Sequence, residues 1–88
     1  MTIRSRREAV TFKHPFRIRG VDRLLPAGTY EVITDEESLE GLSFPAFRRI
    51  ATMILVPGAT SASVLEMISI GSVDLADAQR IDASVPDE

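Results

Sequence analysis

Ser43-Phe44-Pro45-Ala46-Phe47-Arg48-Arg49-Ile50-Ala51-Thr52-Met53-Ile54-Leu55-Val56 is the stretch whose reading decides the fold. Wound as a helix, it gathers Phe44, Phe47, Ile50, Ala51, Ile54 and Leu55 on one face, with Pro45, Arg48, Arg49 and Thr52 opposite. Drawn out as a strand, it is dense in β-branched residues at Ile50, Thr52, Ile54 and Val56, which suit a pleated surface. The residues after Val56 strengthen the strand reading. Pro57-Gly58 is turn chemistry, and Ser63 to Ile70 repeats the same character through Val64, Leu65, Met67, Ile68 and Ile70. Two such runs around a turn favour a hairpin, and the helix remains the alternative.

The flanks favour β structure as well. Val10 and Phe12 alternate with Thr11 and Lys13, the period of a half-buried strand. Pro15 breaks that run, since it cannot donate a ladder hydrogen bond and holds His14 extended. Phe16 to Arg19 resumes the alternation as a second short strand. Gly20 to Asp22 and Leu25-Pro26-Ala27-Gly28 read as turns, and Thr29 to Thr34 is the most regular strand signal in the chain. Thr34-Asp35-Glu36-Glu37 has capping-box form, with Glu three residues after Thr, so a short helical turn is expected near residues 35–41. Asp74 to Asp82 reads as a short C-terminal helix near residues 74–82 with Asp74 as N-cap.

The expected fold class is therefore mainly β (α+β): a small, curled antiparallel sheet with those two helical pieces. Its expected core is Val10, Phe12, Phe16, Ile18, Leu25, Tyr30, Val32, Leu42, Phe44, Ile50, Ile54, Leu65 and Ile68. Eighty-eight residues leave no chain for a second core, so residues 1–88 are read as one domain with frayed tails at 1–7 and 83–88.

Composition narrows the functional classes. With 44% hydrophobic and 26% charged residues the chain has the make-up of a folded protein. No cysteine is present, which removes disulfides, thiolate metal sites and thiol nucleophiles together. The longest apolar run, Ile50 to Val56, is far short of the roughly 20 residues of a membrane span. Nor does an apolar stretch of signal-peptide length follow Arg4, Arg6 and Arg7, so the expected location is the cytoplasm. The net charge of -3 conceals a local +5 over residues 1–23 and -8 over residues 24–88. Such halves neutralise each other in a fold or across a dimer, or mark an anion-binding surface.

No constellation for catalysis stands out. The single histidine, His14, has no second histidine, cysteine or clustered serine beside it and reads as a turn residue, so His14→Ala is expected to change stability by no more than about 0.5 kcal/mol. Asp35, Glu36, Glu37 and Glu40 lack the alternate spacing and central glycine of a calcium loop. The five glycines are isolated, which excludes a phosphate-cradling loop. No cofactor and no metal is expected.

Arginine is what remains. Arg17 and Arg19 alternate with Phe16 and Ile18, so both guanidinium groups belong on one outer face; with Arg48 and Arg49 they are the candidate contacts for an anion or a partner. Against nucleic acid stands the inward phase of Phe12, Phe16 and Tyr30, which leaves no aromatic platform for bases.

Three segments, His14-Pro15-Phe16-Arg17-Ile18-Arg19-Gly20-Val21-Asp22, Leu25-Pro26-Ala27-Gly28-Thr29-Tyr30-Glu31-Val32 and Glu40-Gly41-Leu42-Ser43-Phe44-Pro45-Ala46-Phe47-Arg48-Arg49, occur in this order. Over about residues 10–56 the chain resembles a group of small bacterial proteins of unknown function, a resemblance that implies no activity.

The leading functional expectation is a non-enzymatic interaction module that works through a protein partner or a second copy of itself. On the hairpin reading, Ala51, Met53 and Leu55 point away from Ile50, Ile54 and Val56, and one small sheet covers only one of those faces. A homodimer that uses Ala51, Met53 and Leu55 for self-association is the expected solution. Anion or nucleic-acid binding through Arg17, Arg19, Arg48 and Arg49 is the alternative.

Overall fold

The computed structural model describes residues 2–41, 43–58, 60–61 and 64–86. Four strands, β1 (Ile3–Phe12), β2 (Gly28–Ser38), β3 (Phe47–Pro57) and β4 (Leu65–Ile70), precede one helix, α1 (Ser72–Ser84). They form an antiparallel sheet in the order β1-β2-β3-β4, each strand paired with its neighbour in sequence. The class is mainly β (α+β), and the ambiguous central stretch is a strand from Phe47 onward.

Alternation sorts the side chains into two faces. Phe12 and Val10 of β1, Tyr30 and Val32 of β2, Ile54 and Val56 of β3 and Ile70 of β4 share the inner face and are buried in one cluster. Over them folds the segment 13–27, which contributes Phe16, Ile18, Val21 and Leu25, together with Leu75 and Ala78 of α1. The helix turns Leu75, Ala78 and Asp82 inward, the spacing of one helical stripe. Phe12 and Phe16 stack with ring centroids 3.6 Å apart, and Tyr30 meets both edge-on. The Tyr30 hydroxyl donates to the Pro26 carbonyl at 2.5 Å, and burial pushes its pKa up.

Several expectations are corrected. Residues 35–38 are not a helical turn; β2 runs on through Ser38. A capping box is a local signal, and here it loses to cross-strand charge: Glu36 takes ion pairs from Arg4 and Arg6, and Glu37 pairs with Arg48. The same pairing makes the N-terminal residues strand from Ile3 rather than a frayed tail, and the helix carries the other end in regular structure to Ser84. Phe16 to Arg19 is not a strand. A single bridge, Phe16 to Leu25, ties that segment, although Phe16 and Ile18 do face inward. The helix begins two residues before Asp74, with Gly71 as N-cap.

Of the expected core, Phe44, Ile50 and Leu65 are exposed, Ile68 is partly buried, and Leu42 lies outside the described residues. Phase explains Ile50. Asp35 pairs with Ala51 but Glu36 with Arg49, so Ile50 is an extra residue in β3, a bulge that the ladder passes over. Beyond it the parity of β3 is inverted, which brings Arg49 and Phe47 onto the inner face and Arg48 onto the outer one.

Candidate interaction surface

Helix and segment 13–27 both pack on the inner face, which leaves the outer face of the sheet without a second layer among the described residues. Two side chains per cross-strand step build that face. Met53 stands between Ile33 of β2 and Ser69 of β4; Leu55 stands beside Met67. Ala51 precedes them on β3, and Leu65 closes the β4 side, paired with Pro57. Ile33 is almost wholly buried yet stands apart from the core cluster, shielded within the face itself. Leu65 is 62% exposed and Met67 55%, while Ala51, Met53 and Leu55 are half-buried. The three residues read from sequence as a self-association surface therefore do share this face. Ile33, Leu65 and Met67 were not singled out for it; the alternation in Thr29–Thr34 carried the signal for Ile33.

Charge enters this face along β2, where Glu31 and Asp35 flank Ile33 and Asp35 stands beside Ala51. On the β1 side Arg7 pairs with Glu31 at 2.9 Å, Ser5 donates to Asp35, and the hydroxyls of Thr11 and Thr29 bond each other. At the far end Arg48 pairs with Glu37.

The four candidate arginines do not converge. Arg17 and Arg19 are exposed on segment 13–27, whereas Arg48 and Arg49, consecutive in β3, point to opposite faces. Nearby on the inner face, Arg4 lies over the Phe47 ring, 3.5 Å from its centroid, while its Nε bonds Glu36.

A second cluster joins helix to sheet. Asp82 of α1 accepts hydrogen bonds from the backbone N–H groups of Lys13 and His14 and lies 2.9 Å from Nδ1 of the His14 ring. The Lys13 N–H, first of all, holds the Asp82 carboxyl below its ordinary value against the burial that pushes it up, and the ring and N–H of His14 act in the same direction. His14 is thus the partner of a buried carboxylate and not an isolated turn residue. Cavities of about 320 Å³ lie on either side of this junction. A carboxylate that orients an imidazole is one half of a nucleophile-activating set. Thr11, which lines one of these cavities, has its hydroxyl engaged by Thr29. Among the described residues no group of three or more histidines and carboxylates could hold a metal ion, and no helix is long and apolar enough to cross a membrane.

No family model, curated protein or solved structure matches this chain.

Proposed function

We propose that this protein is an interaction module whose contact surface is the outer face of the sheet, centred on Met53 and Leu55. The observation that carries this reading is the one-sided covering: the inner face has its second layer, and the outer face offers a contiguous apolar field in the same sheet. Contiguous exposed apolar surface on a small domain marks association sites. Arginine placement supports the anion-binding alternative less well, because Arg48 and Arg49 diverge and Arg48 is neutralised by Glu37.

Two of the three methionines, Met53 and Met67, stand on this face and serve as reporters. Peroxide oxidation of Met67 in intact cells is expected to be slower than in the purified protein at submicromolar concentration, because a bound partner shields the thioether. Equal rates would refute the contact-face reading.

A further inference from the structure

We infer that the cavity between segment 13–27 and the end of α1, beside the His14–Asp82 junction, binds a small carboxylate with an apolar body, and that Arg17 takes the carboxylate group. The cavity belongs to the layer that covers the inner face, so the inference stands apart from the contact-face reading.

Exposed apolar groups are the first argument. Leu24 is 54% exposed, Ile81 58% and Val85 40%, and all three line this one cavity. Beneath them Phe16 and Ala78, members of the core cluster, supply an apolar floor. Apolar side chains scattered singly over a surface need no explanation, but three around one concavity hold water against apolar walls that a bound apolar group would displace. The second cavity of the junction lies on the Lys13 side and has none of Phe16, Leu24 and Ile81 in its walls.

Size sets the scale of the ligand. The volume of about 320 Å³ falls at the small end of ligand pockets. At roughly 30 Å³ for each water-sized group, it holds a body of about ten non-hydrogen atoms. The hydrogen bonds from the Lys13 and His14 backbone to Asp82, each 2.9 Å, tie the helix wall to the segment wall. A pocket fixed in this way binds without first having to close.

Charge decides the chemical class. The Asp82 carboxylate is committed to the two backbone N–H groups and to the His14 ring, and so has little to offer a ligand. Arg17 is different: it lines the cavity, is exposed, and its guanidinium makes no ion pair among the described residues. A carboxylate matches the planar fork of a guanidinium with two parallel hydrogen bonds. A cationic ligand would meet Arg17 as a like charge, and a neutral one would leave it unused.

Octanoate, whose body is of the required size, is the probe; octanol keeps the chain and lacks the charge, and acetate keeps the charge and lacks the chain. Each is titrated into the ¹⁵N-labelled full chain at pH 7.5 to about 5 mM, and amide resonances are followed. Octanoate is expected to shift Arg17, Leu24 and Ile81 saturably with a dissociation constant below about 1 mM, and octanol and acetate to bind at least tenfold more weakly. Arg17→Gln should bring octanoate to the level of octanol and leave octanol unchanged, whereas Ile81→Gln should weaken both at least threefold. Far-UV dichroism checks that the variants fold, and Leu24→Gln replaces Ile81→Gln should the helix variant fail. Absence of saturable shifts, octanol bound as well as octanoate, or an octanoate affinity indifferent to Arg17→Gln would each overturn the inference. Shifts centred on Met53 and Leu55 would overturn it too, by placing the apolar body on the outer face.

Discussion

His14 Nδ1 and Asp82 Oδ1 lie 2.9 Å apart across 68 residues of sequence, and they join the end of β1 to the last turns of α1. Replacing His14 by Ala removes a hydrogen bond to a charged, buried acceptor, at an expected cost of about 1–2 kcal/mol in urea unfolding. That exceeds the roughly 0.5 kcal/mol of a surface substitution. A change below that smaller value would mean that the two backbone N–H groups hold Asp82 unaided.

Asp82 should also leave an acid signature. Its folded pKa is depressed, so its contribution to stability is complete above the unfolded value of about 3.9 and is lost as pH falls through the lower folded value. Thermal unfolding of Asp82→Asn, followed from pH 6 to pH 2, should show a shallower loss on the acid side than the wild type. Parallel curves would place the acid sensitivity elsewhere.

Tyr30→Phe keeps the ring against Phe12 and Phe16 but removes the donor to Pro26. The expected loss is about 1 kcal/mol by denaturant titration. Far-UV dichroism should otherwise retain its native shape, because the strands and the ring packing are unchanged.

At Gly20 the backbone has φ +104, and an added Cβ would meet the Ser69 carbonyl oxygen at 3.1 Å. Gly20→Ala is expected to cost more than about 1 kcal/mol, from the left-handed conformation and from pressure on β4 together. Hydrogen exchange should quicken first at Ser69 and Ile70.

Neighbours in β3 should differ sharply in the dilute protein. Ile54 is fully buried and Leu55 stands on the outer face. Ile54→Ala should lose about 3 kcal/mol to transfer and cavity terms. Leu55→Ala should lose less than about 1 kcal/mol at concentrations where the chain is monomeric, and comparable losses would mean that the outer face is covered within one chain.

Local pattern carried much of this architecture. The alternation at Thr29–Thr34, the inward phase of Phe16 and Ile18 and the outward phase of Ala51, Met53 and Leu55 are period-two signals that need no distant information. What sequence could not supply was pairing at long range. Asp35 to Glu37 obey the rules of a helix start until Ser5, Arg4 and Ile3, some 30 residues away, are laid beside them. Asp82 was legible only as the last residue of a short helix, because its partners at Lys13 and His14 belong to the opposite end of the chain. For the candidate surface, the shared face of Ala51, Met53 and Leu55 on β3 was legible, while Ile33 of β2 and Met67 of β4 were assigned no role in it.

The extra residue at Ile50 bears on how the length of this chain can vary. Removing one residue elsewhere in β3 reverses the orientation of every side chain beyond the cut and sets apolar groups against water. Removing Ile50 does neither, because Ala51 and Arg49 already face Asp35 and Glu36, which are consecutive in β2. Strand β3 therefore contains one site where a single-codon deletion is absorbed by straightening the ladder, and natural shortening of this strand should occur there.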